Sequence, residues 1–286
     1  MSNPKISVII PTYNVEKYIE RCVESVLDNT FKDFEVIIVN DGSLDGTYSI
    51  LEKLAGKDER IRIFHKSNSG VSDARNLGMK KARGEYFTFI DGDDYVNGRY
   101  LEKLYEQAVK NQAKLVITEW YRYNEKNNTC YYHVLDNDVR VEKLDQDTLL
   151  DESFKLTFTI SCAKLYHRSL FENVSFPSGS YYEDSYIMNK IYLQVPFAIY
   201  LVDNLYCYRI TEGSIMESQS SIKKIEDQLK ALEEVLIDLL LAKKDTKIHE
   251  KVYESVLVAQ KNFLLEHGLE YEKVFEKINF RLRFFE

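Results

Sequence analysis

Residues 86–94 read YFTFIDGDD, an apolar run from Tyr86 to Ile90 that stops at Asp91. Continuous apolar runs of this length are typical of strands that are buried on both faces of a parallel sheet. Comparable runs begin at residues 6, 34 and 61, so that four strands follow one another at intervals of 25 to 28 residues. Each interval holds one amphipathic helix, and repeated β-α-β units predict a mostly parallel sheet with helices on both faces.

The predicted elements are regular at first and less regular later. We expect strands at residues 6–10, 34–39, 61–64, 86–90 and 115–118, and helices at residues 15–27, 45–54 and 72–82, with Ser43 and Ser72 as helix caps. Residues 121–141 alternate weakly, as in a hairpin, and are followed by a helix at 184–193 and strand material at 197–208. From Ser221 onward the pattern is helical, and a second helix at 247–267 ends at Gly268.

This pattern predicts an α/β domain over residues 1–216, with a first half at 1–120 and a second half at 121–216, and a helical C-terminal extension over residues 217–286. The 286 residues of the chain suit such a division, because domains average roughly 150 residues. We expect the C-terminal helices to pack on the main domain or to form a homodimer.

The composition excludes several classes of protein. With 44% hydrophobic and 29% charged residues, the chain has the balance of an ordinary folded protein. Its net charge of −8 argues against a nucleic-acid partner, because duplex binding needs a basic surface. No apolar run approaches the ~18–20 residues that span a bilayer, and no signal peptide precedes residue 6, so we expect a cytoplasmic protein. Basic and aromatic residues at 279–285 suit either peripheral contact with the inner membrane surface or ordinary docking of the last helix.

Polar residues follow the predicted strands at the points where ligands bind in open parallel sheets, beyond the carboxyl ends. These segments are PTYN at 11–14, NDGS at 40–43, NSG at 68–70 and DGDD at 91–94. The last one places three carboxylates within four residues, and hard carboxylate oxygens suit Mg²⁺ or Mn²⁺. A simple polar turn is the alternative, because Asp and Gly are common turn residues.

Two of these segments suit a nucleobase. Asp41 can accept a hydrogen bond from a ring N–H, which uracil has at N3 and cytosine lacks, and Tyr13 can stack on the base. Pro11 would fix the turn that presents both, whereas Thr12 or Asn14 can alternatively cap the following helix. The sequence has neither a G-x-G-x-x-G fingerprint nor a Walker A motif, so a dinucleotide or P-loop site is not expected.

Four motifs together resemble glycosyltransferase family two, a group of inverting, metal-dependent transferases with the GT-A fold. They are SVIIPTYN at 7–14, VNDGS at 39–43, NSG at 68–70 with ARNLG at 74–78, and FIDGDD at 89–94. The resemblance is strong over about residues 5–120, weakens to about residue 216 and is absent beyond it. It implies that the first half of the domain binds a nucleotide-sugar and the second half faces the acceptor.

The resemblance also implies roles for individual residues. Those expected to bind the nucleotide-sugar are Pro11, Thr12, Tyr13, Asp41, Asn68, Gly70, Arg75, Asp91 and Gly92. Asp93 would coordinate the Mn²⁺ or Mg²⁺ ion. Asp91 would contact the ribose or hold the groups that bind the metal without binding it directly. For Arg75 a surface helix charge is the alternative.

Inverting transfer needs a general base, because the acceptor hydroxyl loses its proton as it attacks the anomeric carbon. The family supplies one from an acidic pair downstream of the D-x-D motif, and Glu183-Asp184 fits, with Asp184 as base and Glu183 as an orienting or acceptor-binding residue. Acidic residues at a helix start are favourable in any case, which is the structural alternative. Arg209 and Ser214 lie in a stretch that resembles the loop closing over the donor.

The sequence therefore predicts an inverting hexosyltransferase that moves a sugar from a UDP-sugar to a hydroxyl of a glycan acceptor, on a protein, a capsule precursor or a lipid-linked oligosaccharide. The alternative is a non-catalytic nucleotide-sugar-binding subunit that supports a partner transferase. Which hexose is donated is not readable from the sequence, since discrimination between epimers can rest on a single hydrogen bond.

Overall fold

The structure is a computed structural model that describes residues 3–134, 138–210 and 221–285. Its centre is a ten-stranded mixed sheet. The strands are β1 (Ile6–Thr12), β2 (Phe34–Asn40), β3 (Ile61–His65), β4 (Tyr86–Phe89), β5 (Tyr95–Val96), β6 (Leu115–Asn124), β7 (Thr129–Tyr132), β8 (Arg140–Asp145), β9 (Lys164–His167) and β10 (Phe197–Ile210). The helices are α1 (Ile19–Leu27), α2 (Thr47–Ala55), α3 (Val71–Lys81), α4 (Tyr100–Asn111), α5 (Gln146–Asp151), α6 (Leu156–Thr159), α7 (Glu183–Tyr192), α8 (Ile222–Leu241), α9 (Lys247–Glu266) and α10 (Lys273–Leu282).

The strand order is β3-β2-β1-β4-β9-β6-β10-β5, with β7 paired to β6 and β8 paired to β10. The first four strands are parallel to one another, and β6 is parallel to β10. Strand β9 lies antiparallel between β4 and β6, so β6 and β10 run in the same direction as the first four strands. The predicted mostly parallel α/β fold is confirmed, and the carboxyl ends of six strands lie at one edge of the sheet.

The central strands form because their residues are apolar on both faces. Every residue of β1, β2 and β4 is buried, as a sheet covered by helices requires. Helix α1 contributes a stripe of apolar residues at helical spacing, Ile19, Cys22, Val23 and Val26. The predicted caps are wrong: α2 begins after Gly46 and α3 after Gly70, neither with a side-chain cap. The Ser43 hydroxyl instead accepts the Asn14 amide at 3.0 Å, which joins the loops after β1 and β2.

Helix α3 packs unusually close to the sheet at Gly78. A Cβ atom at this position would lie 2.4 Å from Cγ2 of Ile9, in the middle of β1. Only a residue without a side chain permits this approach. The close packing places the first turn of α3, which contains Arg75, at the carboxyl edge of the sheet.

The C-terminal helices form a cluster of their own that is joined to the main core through α8. Ala231, Val235 and Leu239 on α8 belong to the main hydrophobic core. The second cluster is formed by α8, α9 and α10 and contains Ile225, Leu229, Tyr253, Leu257, Leu264, Val274 and Ile278. Gly268, with φ of +64°, follows the end of α9 as predicted, but the separate helix α10 was not resolved from the sequence. Within the described ranges, no helix has the length and apolar character needed to cross a bilayer.

Candidate active site

Asp41 organises the loop that follows β3. Its carboxylate is buried, and it accepts the Ser69 amide at 3.0 Å and the Gly70 amide at 2.7 Å, together with the Lys66 ammonium. Gly70 has φ of +99°, a conformation that favours glycine. Asp41 therefore holds the residues after β3 against the end of β2, and it lies at the edge where the sequence predicts a nucleobase contact.

The end of β1 lies beside Asp41. The Asp41 amide donates to the Thr12 carbonyl at 2.8 Å, and the Thr12 hydroxyl donates to the Val39 carbonyl at 3.2 Å. Thr12 thus ends a strand and does not cap α1, which has no side-chain cap. Tyr13 is 44% exposed, so its ring is available for stacking, and Asn68 is exposed nearby in the chain region that Asp41 holds.

The D-x-D turn passes directly over the end of β1. A Cβ atom on Gly92 would lie 3.0 Å from Cγ2 of Thr12 and 3.2 Å from the Pro11 carbonyl oxygen. A side chain at this position would be a tight fit, so the glycine between the two aspartates suits this close approach. It brings Asp91 and Asp93 next to the predicted base-binding segment, as the sequence analysis expected of a parallel sheet.

The three carboxylates of residues 91–94 have different surroundings. Asp94 is buried and accepts the Tyr206 hydroxyl at 2.5 Å and the Arg209 amide at 2.8 Å. Burial raises the pKa of Asp94 well above its usual range, and the charges of Asp93 and Asp91 raise it further. Asp94 is therefore a structural residue. Hydrogen bonds from Tyr206 and Arg209 hold this carboxylate, so it needs no cation to neutralise it.

Arg75 joins the D-x-D motif to the acidic pair. Its guanidinium donates to Asp91 at 2.9 Å, to Glu183 at 2.9 Å and to Asp184 at 3.2 Å. The side chain is 3% exposed. Burial alone would lower the pKa of Arg75, but the three carboxylates outweigh burial and keep it well above its usual value. The burial of Arg75 excludes the alternative of a surface helix charge. The side chain holds carboxylates from two distant segments together, and its predicted contact with the nucleotide-sugar stays a prediction.

The acidic pair opens helix α7. Tyr182, the residue before the helix, has φ of +59°, an unusual backbone conformation for a bulky side chain. Burial raises the pKa of Glu183 to about 7; the neighbouring charge of Asp184 raises it as well, and Arg75 opposes both. The side chain of Asp184 is 20% exposed, so it keeps access to the cleft.

Arg209, which the resemblance placed in a loop closing over the donor, lies near the end of β10 with its side chain enclosed. The Arg209 side chain is 2% exposed, donates to Glu125 at 2.9 Å and packs over the rings of Tyr18 and Tyr95. In this arrangement it offers almost no surface to a diphosphate. Ser214 lies in residues 211–220, outside the described residues.

Lys164 is a feature whose role the sequence did not give. Its side chain is fully buried, and its ammonium donates to the carbonyls of Thr157 at 2.6 Å, of Ile160, and of Cys162 at 3.5 Å. Burial lowers the pKa of Lys164 to about 7, while the charge of Asp184 opposes the shift. Its signal in the sequence was a lysine in an apolar stretch, but the three carbonyl partners are tertiary and could not be read there.

The possible metal ligands are few. Among the described residues, no group of three or more His, Cys, Asp or Glu side chains is arranged to hold a metal ion. Asp91 is bound by Arg75 and by the Cys162 thiol, which donates at 3.4 Å, and Asp94 is enclosed by Tyr206. Asp91 and Asp93 are both partly exposed at the edge of the sheet, whereas Asp94 is buried.

A mixed sheet whose parallel strand ends carry a D-x-D turn linked to an acidic pair is the arrangement expected of a nucleotide-sugar transferase of the GT-A type. The sequence model of the family described as "Glycosyl transferase family 2" matches residues 7–175. The chain belongs to this family and is a glycosyltransferase, as the sequence predicted.

Known relatives agree with this assignment. Glycosyltransferase GlyG of Streptococcus pneumoniae serotype 4 is 33% identical over 287 residues, which cover 98% of this chain and 95% of the relative. Glycosyltransferase GlyA of the same organism is 36% identical over 217 residues, covering 74% of this chain and 31% of GlyA. The crystal structure of S. aureus TarS 1-349 in complex with UDP-GlcNAc matches with a TM-score of 0.74 and 25% identity, over 94% of this chain and 76% of that one.

Proposed function

We propose that the protein transfers a hexosyl group from a UDP-sugar to a hydroxyl group of a glycan acceptor, with inversion at the anomeric carbon. The observation that carries the proposal is the set of hydrogen bonds from Arg75 to Asp91, Glu183 and Asp184. They hold the acidic pair beside the D-x-D turn, so a donor bound at the strand ends would meet the candidate base.

A uridine donor is supported by the TarS structure, which contains UDP-GlcNAc, and by the chemistry of Asp41. A carboxylate offers about four lone-pair positions. Three of them are used by Lys66, Ser69 and Gly70, which leaves one for the N3–H of uracil. The exposed ring of Tyr13 can stack on the base from the neighbouring strand end.

A divalent metal ion fits this site through Asp93. Mg²⁺ and Mn²⁺ prefer oxygen ligands, and such ions are commonly held by one or two carboxylates together with substrate phosphates. Asp93 would supply a protein carboxylate, because its side chain is partly exposed in the turn that lies over the end of β1. The ion would offset the charge that develops on the departing diphosphate.

Asp184 is the proposed general base. It would accept the proton of the acceptor hydroxyl while that oxygen attacks the face of the sugar opposite the diphosphate. It lies in the first turn of α7, is partly exposed to the cleft and is held by a hydrogen bond from Arg75. Glu183, with its raised pKa, would orient the acceptor or share the proton.

Ligand-dependent unfolding of the purified chain tests the donor and the metal together. We would measure thermal unfolding with UDP, GDP and CMP, each with and without Mn²⁺. A ligand at 100 times its dissociation constant adds about 2.7 kcal/mol to stability. Stabilisation by UDP that depends on Mn²⁺ in the wild type, and no longer in Asp93→Ala, is expected. A response to GDP or CMP instead would overturn the assignment of Asp41.

Transfer itself is tested by release of UDP from UDP-GlcNAc, UDP-glucose and UDP-galactose. Asp184→Asn should reduce turnover by about 10²–10⁴-fold, the range for a general base. Its affinity for UDP should stay within a factor of about two. Loss of UDP binding in a folded Asp184→Asn variant would assign this residue to the donor site and remove it from the chemistry.

A further inference from the structure

We propose that helix α8 braces the acidic pair and that Asp227 on this helix is a positioning residue for the transfer reaction; this rests on the function proposed above. The family model ends at residue 175, before the acidic pair and before α8. The contacts between the two lie in the part of the chain that the family pattern does not describe.

The segment that leads into the acidic pair, residues 177–182, is anchored at its first end by α3. The Asn76 side chain donates to the Phe176 carbonyl at 2.8 Å and accepts the Phe176 amide at 3.0 Å. The Ser178 hydroxyl donates to the Asp73 carboxylate. Because α3 also contains Arg75, this anchor fixes the start of the segment relative to the guanidinium.

The other end of the segment is anchored by α8. The Tyr181 amide donates to the Asp227 carboxylate at 3.0 Å, and the Lys223 ammonium donates to the Gly179 carbonyl at 2.9 Å. Lys223 also donates to Asp227 at 2.7 Å. The Asp227 side chain is 15% exposed, so the contact with the amide is shielded from water.

The anchor precedes a strained residue. Tyr182, directly after Tyr181, has φ of +59° and no side-chain cap at the start of α7. Such a conformation persists in a non-glycine residue only when the surroundings hold it. The hydrogen bond from the Tyr181 amide to Asp227 holds the backbone one residue before Tyr182. Glu183 follows Tyr182 directly, so the same bond helps to fix the start of the acidic pair.

Helix α8 is itself firmly placed. Lys190 on α7 donates to Glu234 at 3.1 Å and to Asp238 at 2.8 Å on α8. The buried Val235 and Leu239 join α8 to the main core. Helix α8 therefore contacts α7 near both of its ends. Asp227 binds the segment before α7, and Glu234 and Asp238 bind Lys190 near its C-terminal end.

Loss of the brace should affect the chemistry more than donor binding. The proposed donor site lies at the ends of β1, β2 and β4, whereas the acidic pair depends on the segment that Asp227 holds. A displacement of a catalytic group by about 1 Å can reduce turnover by about 10²-fold. We expect Asp227→Ala to reduce kcat by about 10- to 100-fold with KM for the UDP-sugar nearly unchanged.

The experiment compares Asp227→Ala with Glu226→Ala in the full chain. Glu226 is the neighbouring acid on α8, and it pairs with Lys277 of α10 at 2.7 Å, away from the acidic pair. Turnover of the UDP-hexose that the wild type uses best is measured as UDP release. In parallel, hydrogen exchange is followed in a peptide that covers residues 177–186. Asp227→Asn, which keeps an acceptor oxygen for the Tyr181 amide, serves as the conservative variant.

The expected result is a lower kcat and faster exchange in Asp227→Ala, wild-type behaviour in Glu226→Ala, and recovery of most of the loss in Asp227→Asn. Unchanged exchange or unchanged kcat in Asp227→Ala would overturn the brace while leaving the proposed function intact. If the wild type neither binds UDP nor releases it, the proposed function is overturned. The proposed role of Asp227 in the reaction is then overturned as well. Equal losses in both alanine variants would indicate general destabilisation of α8 and also refute the proposal.

Discussion

At the level of single residues, the ion pairs of Arg75 hold the carboxylates of the site in place. One buried guanidinium faces three carboxylates, from β4 and from α7. A buried ion pair adds little net stability, but removal of one partner leaves buried charge without compensation. Arg75 therefore stabilises an arrangement that would otherwise separate, and the geometry of the acidic pair depends on it.

We predict that Arg75→Met destabilises the protein by about 3–5 kcal/mol, the usual effect of breaking a buried charge pair. Arg140→Met is the control, because Arg140 is 56% exposed and pairs with Glu142 at the surface. Its loss should stay below about 1 kcal/mol. Urea unfolding at pH 7 measures both. A loss below 1 kcal/mol for Arg75→Met would show that the carboxylates relax without their cation.

Glu183 should make stability depend on pH. Its pKa is raised to about 7 in the folded protein, from the ordinary value of 4.5. Between these values the folded state binds more protons than the unfolded state, so the contribution of Glu183 to stability is present below pH 4.5 and is lost as the pH rises to 7. Glu183→Gln removes this loss because glutamine stays neutral.

The variant Glu183→Gln should therefore gain stability relative to the wild type as the pH is raised from 5 to 8. The gain should not exceed about 3 kcal/mol, since one pKa unit corresponds to 1.36 kcal/mol. Denaturant unfolding at pH 5, 6, 7 and 8 measures the difference. If the difference between the two proteins is the same at all four values, Glu183 does not titrate as burial and Asp184 indicate.

Sequence reasoning located most of these residues but not their partners. Asp91 and Asp93 were found because they directly follow a strand, and the acidic pair was found through the resemblance to the family. The partners of Arg75 are 16, 108 and 109 residues away along the chain, and no local pattern encodes such contacts. The same applies to the enclosed side chain of Arg209, which the resemblance placed in a loop that closes over the donor.

At the level of elements, the strands were predictable because continuous burial leaves a continuous apolar run. Strand β2 was expected at residues 34–39 and is Phe34–Asn40. Helix starts were not predictable in the same way. Helix α3 begins at Val71, so Ser72 lies inside the helix, where it is buried. No side chain caps the first amides of this helix. Tertiary packing sets this start.

Close packing of α3 on β1 gives a prediction about Gly78. The Cβ of Gly78→Ala would meet Ile9 at 2.4 Å, and Ile9 is a fully buried, β-branched residue that cannot move aside. Overpacking costs about 1–3 kcal/mol, and the gain in helix propensity of about 1 kcal/mol offsets part of it. We expect a net loss of about 1–2 kcal/mol.

Gly56→Ala is the matched control for Gly78→Ala. Gly56 has φ of −68° at the end of α2, and its Cβ would meet the Glu52 carbonyl at an ordinary 3.6 Å. Its effect on the free energy of unfolding should be within about 0.5 kcal/mol. If Gly78→Ala is as well tolerated as Gly56→Ala, the helix can shift outward and the contact does not fix Arg75.

At the level of the whole molecule, the sequence predicted the α/β class and the helical C-terminus, but it divided them at residue 216. We propose that α8 belongs functionally with the catalytic part. Val235 and Leu239 are buried in the main core, and Asp227 contacts the segment before the acidic pair. Amphipathic periodicity shows that a helix has an apolar face but not which surface covers it, so the sequence pattern alone does not decide the division.

Truncation distinguishes the two divisions. A chain of residues 1–216 lacks α8 and exposes the core surface that Leu239 covers. The stabilisation lost with several buried apolar side chains approaches ~5–15 kcal/mol, the total free energy of unfolding of a domain. We expect it to show no cooperative thermal unfolding. A chain of residues 1–245 keeps α8 and loses mainly the second cluster, so it should unfold cooperatively at a lower temperature and still respond to UDP. Cooperative unfolding of residues 1–216 with a full response to UDP would instead place the boundary where the sequence pattern changes.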